Sequence, residues 1–457
     1  MAFKDLAINA EAKREGYDAL ESFYESEHRL DALGVTLPED VRVLEMVSSI
    51  PKLTVDVLVE VLNVEGFILK DSPETAELLW KWWQANDMDT EIHLGITETL
   101  VQGLSFLLVG HGTEDVPRIT VVDAQHAAYR RDVFGQVVEA VVILGDDKDK
   151  LKDHVDDERI AVHYVPGYRA VYRPSSLGWK IDGGYSSTGT GKIPLVPMVN
   201  RSRLKDRNYG RTEMAEVLTL SNAESRSMTN LQVAQELLAL PQRYLFANGI
   251  NKLKDQEGNP ISKFKAYMSA LWTGPEGATA GQFAGADLSQ IINVIKLYNQ
   301  KVSALMGIPP SMLGIATDNP SSAEAMRAAK ERLITRGEFK QSLFGDPIEE
   351  AMTIALEMYG KTPKGIEYLE TSWRDVATPS KSAKSANILQ AHSQGVVTAH
   401  TAREYLELTP AQRAYEDQQE NSADALMRSV GMRPGQSNWQ NQKPTEDDES
   451  KREEKAK

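Results

Sequence analysis

Two long helical stretches with a small, turn-rich insert between them constrain this chain more than any other feature. The first runs from Arg211 to Leu240. Met214, Val217, Leu218, Met228, Leu231 and Leu238 give it an interrupted apolar stripe, and Pro241 stands just beyond its end. The second spans 286–306, where Leu288, Ile291, Ile292, Ile295, Tyr298, Val302 and Leu305 fall within an arc of about 140° at roughly 100° per residue. Its other face carries Gln290, Asn293, Gln300 and Lys301. The insert, 241–285, has turn signals at Asn248-Gly249, Glu257-Gly258-Asn259-Pro260 and Thr273-Gly274-Pro275. After the second helix, GIPPSMLGIATDNP cannot be helical throughout, because Pro309, Pro310 and Pro320 lack an N–H and fix φ. A helix restarts at Ser321, with Glu324 completing a capping box. Gly345-Asp346-Pro347 is expected to break it, and Asp346 with Glu349 repeats the cap for a further helix to Tyr359.

The flanking regions alternate between two periods. Residues 9–33 read as a helix from Tyr17, Leu20, Phe23, Tyr24 and Leu30, and Pro38 opens another segment. Leu53–Leu62 and Pro73–Ala85 follow as helices, Pro73 sitting in a first turn where its missing N–H costs little. From Gly103 the pattern changes to short β-rich runs: GLSFLLVGHG, RITVVD, VVEAVVIL, RIAVHYV and YRAVYR, separated by Gly, Pro and Asp. Residues 175–200 read as a Gly- and Ser-rich loop ending in an extended strand, IPLVPMVN, and 366–373 as one strand. Ser380 to Val430 reads as three short helices, and the polar tail beyond Pro434 as disordered. The fold class expected is α+β.

Charge and composition narrow the function. The chain has no cysteine, which excludes disulfides, thiolate chemistry and cysteine zinc sites and fits assembly in a reducing cytosol. No window approaches the roughly 18 apolar residues of a membrane span, and no apolar core of signal-peptide length opens the chain. The formal net charge is −15, against bulk affinity for nucleic acid but not against letting DNA slide past.

Several motifs invite a catalytic reading and fail it. Ser187–Lys192, STGTGK, resembles a phosphate loop, but Ser186 and Ile193 occupy positions where that loop needs Gly and Ser or Thr, so a flexible hairpin tip is expected. The nearest histidine pairs, His392 with His400 and His154 with His163, are too far apart to share a helical turn, so no metal site is expected. Trp80, Trp82 and Trp83 offer a base-stacking platform, but Trp80 and Trp83 at i,i+3 spacing point to packing instead. The pairs Asp146-Asp147 and Asp156-Asp157 sit in polar runs that read as solvated loops. No catalytic residue and no cofactor are assigned.

An ordered series of segments resembles the portal proteins of tailed double-stranded DNA bacteriophages, of the siphophage type that infects actinobacteria. The series is YESEHRLDALGVTLPEDVRVLEMVSSIPKLTVDVLVEVLNVEGF (24–67), WWQANDMD, PRITVVDAQHAAYRRD, VPMVNRSRLKDRNYGRTEM (196–214), LPQRYLFANG, MGIPPSMLG with SSAEAMRAAKERL, and Trp373–Asp375. The resemblance implies a portal fold with a mixed α/β wing (1–210 and 323–375) and a stem of two helices (211–240 and 286–306). It further implies a small α/β clip (241–285), a tunnel-loop region (307–322) and a helical crown (376–433), followed by the tail (434–457). It implies a tunnel loop of Gly314, Thr317, Asp318, Asn319 and Pro320, acting by shape and mobility rather than by phosphate binding. Channel-lining positions would be Gln290, Asn293, Lys296, Gln300 and Lys301, and clip interface positions Tyr267, Leu271 and Trp272. The implied assembly is a dodecameric ring at a capsid vertex of the virion, formed in the host cytoplasm. Double-stranded DNA, the terminase large subunit, a head-tail adaptor, and the major capsid and scaffolding proteins would be its partners. Two other readings stay open: a non-viral soluble oligomeric scaffold, and a nucleotide-binding enzyme built on Gly184–Lys192.

Overall fold

Strand β2 (Leu104–Gly110) is apolar along most of its length because both of its faces are covered. In the computed structural model, Leu104 and Phe106 join a core with Tyr129, Val142, Val162 and Tyr164, while Leu107 and Val109 join a second core built mainly from helices. The structure describes residues 15–31, 39–145, 159–175, 178–239, 243–246, 279–282, 287–315, 323–377, 381–398 and 402. These divide into two units, Met1–Val376 and Ala377–Lys457.

In the first unit β2 pairs antiparallel with β3 (Arg118–Asp123) and β9 (Leu195–Val199), in the order β3-β2-β9. A five-stranded antiparallel meander packs across the first core. Its strands are β4 (Ala127–Arg131), β5 (Val137–Leu144), β6 (Ile160–Val165), β7 (Tyr168–Ser175) and β8 (Gly178–Ser187). β8 corrects the loop expected over 175–200. Its glycines do not remove backbone donors, and the ladder to β7 runs from Ser175↔Gly178 through Tyr172↔Ile181 to Tyr168↔Ser187.

The other face of β2 is covered by helices. Helix α1, over 15–24, lies within the expected 9–33. It is followed by α2 (Ile50–Val59), β1 (Val64–Ile68), α3 (Pro73–Ala85) and α4 (Met88–Gln102). α3 has the bounds the sequence predicts. α4 is absent from the periodicity reading because small and polar residues interrupt its buried face. Gly95 lets it approach the sheet, where an added Cβ would stand 3.0 Å from Val121. Ser105 on β2 donates to the Gly95 carbonyl at 2.9 Å. The tryptophans are packing residues: Trp82 and Trp83 are buried, their indole N–H groups donating to the Asp115 carbonyl (2.9 Å) and Asp89 (2.7 Å), and Trp80 stacks on Trp83.

Helix α5 (Leu218–Ala239) begins later than expected, since Thr212 caps a 3-10 turn at Glu213–Glu216 first. β10 (Arg243–Phe246), β11 (Thr279–Gln282) and α6 (Ser289–Met306) follow. α7 runs unbroken from Ala323 to Met358 with Pro347 inside it, which corrects the break expected at Gly345-Asp346-Pro347. An interior proline costs about 3 kcal/mol. Leu343 and Phe344 before it, and Ile348, Ala351, Met352 and Ala355 after it, are buried in one continuous core. Leu343, Phe344, Ile348 and Met352 contribute about 1.5–3 kcal/mol each, so packing outweighs the missing hydrogen bond. The strand expected over 366–373 resolves into a 3-10 turn at Ile366–Tyr368 and β12 (Glu370–Trp373), paired with β1. In the second unit α8 (Lys381–Ser393) is described; the rest of the expected three helices, and the tail, lie mostly outside the described residues.

After β9 the chain returns to the end of α4 through a tight crossing. Gly103 and Gly210 both have positive φ (91° and 65°), and a Cβ on Gly210 would come within 1.8 Å of the Gly103 carbonyl oxygen. Gly210→Ala is therefore expected to cost more than the roughly 1–2 kcal/mol of a left-handed conformation. Gly183→Ala, whose Cβ would meet nothing within 4 Å, should cost about that strain alone. Thermal unfolding of the two variants checks this, and equal losses of melting temperature would contradict it.

Candidate functional site

α5 and α6 pack against each other, and the chain that joins them closes as an antiparallel ribbon, β10 with β11, in register from Arg243↔Gln282 to Phe246↔Thr279. The candidate site is this helix–ribbon–helix element and its junction with the body. The insert residues Tyr267, Leu271 and Trp272 lie outside the described residues.

α5 is held by hydroxyls rather than by its apolar stripe. Ser221, Ser225 and Thr229, at i, i+4 and i+8, are fully buried, whereas Met228 and Leu231 are half-buried. Ser225 Oγ accepts from the Ser48 N–H (2.9 Å) and Thr229 Oγ1 from the Met46 N–H (3.0 Å). Ser48 Oγ donates to the Glu224 carboxylate. Burial raises the Glu224 carboxyl above its ordinary value, although hydrogen bonds from Ser48 and Asn299 work against the shift. The Ser/Thr repeat was visible in the sequence, but its partners, some 175 residues away, were not.

α6 turns only part of its apolar arc inward. Val302 and Met306 are buried, while Ile292 (42% exposed), Val294 (40%), Leu297 (48%) and Leu305 (40%) are only partly covered. Gln290, Asn293, Lys296, Gln300 and Lys301 are all exposed. At the helix end Gly307 takes the left-handed cap (φ 71°), and Arg332 and Arg336 of α7 donate to the Ala304 and Met306 carbonyls. The following segment folds back on the helix. Ser303 Oγ donates to the Ile308 carbonyl (2.7 Å), Pro310–Leu313 forms a 3-10 turn, and the Ile315 N–H bonds to the Pro310 carbonyl (3.1 Å). Gly314 has φ 68° and is exposed. Thr317, Asp318, Asn319 and Pro320 lie outside the described residues.

The junction is a buried ion cluster that the sequence reading missed. Glu213 accepts from Lys340 Nζ (2.7 Å), Asn200 Nδ2 (2.9 Å) and Arg336, and Lys340 also donates to Asn200 Oδ1. Burial alone would raise the Glu213 carboxyl; Lys340 and Arg336, with hydrogen bonds from Lys340 and Asn200, reverse this and bring it to about 2. A cavity of about 470 Å³ lies beside the cluster, with Leu305 and Phe339 among its walls.

Ser187–Lys192 is neither a phosphate loop nor a hairpin tip. It connects β8 in one sheet to β9 in the other. Thr188 and Thr190 are buried, Thr190 Oγ1 donates to Glu357 (2.7 Å), and Lys192 pairs with the same carboxylate at 2.9 Å. The flexibility expected there gives way to these ties. His163 is buried between Glu139 (2.9 Å) and Tyr185 (3.1 Å); His154, His400 and the pairs Asp146-Asp147 and Asp156-Asp157 lie outside the described residues. Among the described residues no group of three or more His, Asp or Glu is arranged to hold a metal ion, and no helix is long and apolar enough to cross a membrane.

The chain is similar to known proteins. A family model described as phage portal protein, SPP1 Gp6-like, matches residues 5–425. The portal protein of Mycobacterium phage L5 is 33% identical over 423 residues, covering 88% of this chain and 82% of the relative. That of Mycobacterium phage D29 is 33% identical over 414 residues, covering 86% and 82%. A solved structure of the neck of a native gene transfer agent particle, computed with C12 symmetry, is 12% identical, with a TM-score of 0.46 over 86% of this chain and 99% of that one.

The Glu213 carboxyl sits below its ordinary 4.5 in the folded chain, so its contribution to stability is complete above about pH 4.5 and is lost as pH falls toward about 2. Glu213→Gln leaves Lys340 and Arg336 facing each other without a counter-charge, which should cost roughly 3–5 kcal/mol at neutral pH. Urea unfolding at pH 7, 5, 4 and 3 should give a midpoint for Glu213→Gln that is lower at pH 7 and flatter across the acid range. Parallel pH profiles for the two proteins would contradict this.

Proposed function

The chain belongs to the phage portal proteins of the SPP1 Gp6-like type, and from that we propose that it is the subunit of a closed, dodecameric ring through which double-stranded DNA enters and leaves a capsid. In this reading it is a structural conduit and not an enzyme. It stands at one vertex of the virion after assembly in the host cytoplasm with the major capsid and scaffolding proteins. The terminase large subunit docks on it during packaging, and a head-tail adaptor takes that place afterwards.

The domain map follows the sequence boundaries. The sheets with α2–α4 and α7 are the wing, α5 and α6 the stem, the β10–β11 ribbon the base of the clip, 307–322 the tunnel-loop region and 376–433 the crown. The observation that carries the reading is the exposed surface of α6. Val294, Leu297 and Leu305 form an apolar flank beside the polar arc of Asn293, Lys296 and Gln300. A lone helix gains nothing from that flank, whereas a neighbouring copy would bury it and leave the polar arc facing an open channel. Closure of such a ring needs two different, complementary surfaces on each copy. Twelve copies at −15 carry a formal −180, a surround that resists adhesion of DNA. Asp318 and Asn319 of the tunnel loop would then restrain DNA by shape without gripping its phosphates.

Native mass spectrometry of the purified protein at micromolar concentration should give a closed oligomer, with a central hole in negative-stain images. Monomers and dimers alone would contradict the reading.

A further inference from the structure

A strongly basic loop and an apolar turn lie side by side on the wing, away from the helix–ribbon–helix element. Residues 201–211 carry five cations, Arg201, Arg203, Lys205, Arg207 and Arg211, against the single acid Asp206. That is a net +4 in a chain of −15, so the rest of the chain carries −19. Next to this loop stands the β4–β5 turn: a Cβ on Gly135 would be 2.7 Å from Arg207 Nη2, and Tyr129 at the base of that hairpin donates to the Asn208 carbonyl. Val133 (89% exposed), Phe134 (83%) and Leu204 (91%) project from these two segments into solvent. The turn is not slack. Asp132 Oδ1 accepts from the N–H groups of Phe134 (2.9 Å) and Gln136 (2.8 Å), which fixes the backbone that holds Val133 and Phe134 outward.

Three nearly bare apolar side chains beside a cationic loop suit an acidic protein surface with an apolar spot better than a phosphate backbone, which would leave them in water. This chain carries such a surface. Glu91 and Leu94, three residues apart, share a face of α4, and Asp87 stands at its N-cap; Asp87 is exposed, Glu91 half-buried and Leu94 55% exposed. The basic loop ends at the opposite end of that helix, where Gly210 and Arg211 press on Gly103, the α4 cap. A helix of 15 residues is about 22 Å long at 1.5 Å per residue. Each copy therefore presents a basic–apolar patch and an acidic–apolar stripe well apart, the arrangement that a head-to-tail contact requires.

We propose that the patch formed by Val133, Phe134, Arg203, Leu204 and Lys205 docks on the Asp87–Glu91–Leu94 stripe of a second copy of this chain, as one contact of the ring. The contact rests on the ring reading above and adds to it where one copy grips the next. Arg203 and Lys205 are the residues to reverse, since both are exposed and neither is used in the core.

The test compares the full-length wild type with Arg203→Glu/Lys205→Glu, with Phe134→Ser, and with the charge-reversed double variant combined with Asp87→Asn and Glu91→Lys. Asp87→Asn keeps a residue that tolerates the left-handed backbone found there (φ 54°). Circular dichroism and thermal unfolding establish that each variant folds, and native mass spectrometry across a salt series counts rings. Both disruptions, the charge-reversed double variant and Phe134→Ser, should lower the ring fraction about tenfold or more at low salt, and the variant with compensating charges on α4 should recover it. Wild-type protein that never forms rings would sink the ring reading itself. Wild-type rings with fully assembled variants would overturn this contact alone. So would intact variant rings that have lost retention of a double-stranded DNA probe, because the patch would then be a nucleic-acid site. Disrupted variants that the compensating charges fail to restore would overturn the pairing with α4.

Discussion

One buried carboxylate holds together the places where the helix pair joins the body. Glu213 lies just before α5, Asn200 just after β9, and Arg336 and Lys340 on α7; Arg336 also closes the end of α6 through the Met306 carbonyl. Taking a carboxylate and two cations out of water is costly, and only full pairing offsets it. Each element that supplies a partner is thus fixed relative to the others. The hydroxyl seam of α5 and the fold-back of 307–315 onto α6 continue the same logic at the two other attachment points. These directional bonds fix the helix pair to the body, where apolar contacts alone would permit sliding.

Much of this was legible in the sequence where a local rule dominates. α3 keeps its expected bounds because Pro73 marks its start. α6 stands within its expected span because Gly307 and the two prolines end it. The strands from β2 to β7 mostly match their alternating or apolar runs. The misses share another cause. α4 hides Met88, Ile92, Ile96 and Leu100 among Gly95 and Thr99, which are small because the sheet is close. β8 looks like a loop until β7 supplies its hydrogen bonds. α7 crosses Pro347 because burial on both sides of the proline is worth more than one bond. In each case the deciding partner lies outside the element itself: the sheet for α4, the adjacent strand of the same hairpin for β8, and the core on both sides of the proline for α7.

The site divides in the same way. The polar arc of α6 was readable because it is a property of one helix. The ion cluster was not, since Asn200, Glu213, Arg336 and Lys340 are unremarkable charges until the fold brings them together. Family membership rests on the match over residues 5–425 and the two mycobacteriophage relatives; the proposed channel wall is a reading of the polar-faced helix, its apolar flank and its rigid mount.

In the proposed ring, α6 lines a channel with its polar arc and meets a neighbouring copy with its apolar flank. The chain contains no cysteine, so single cysteines report cleanly. The most direct measurement is maleimide labelling of Lys296→Cys, Gln300→Cys, Leu297→Cys and Leu305→Cys proteins, each compared as dissociated subunits and as assembled particles with and without packaged DNA. Positions 297 and 305 should react in subunits and be shielded in every assembled particle. Positions 296 and 300 should stay reactive in empty particles and become protected when DNA fills them. Equal reactivity of all four positions in subunits and in both kinds of particle would contradict it.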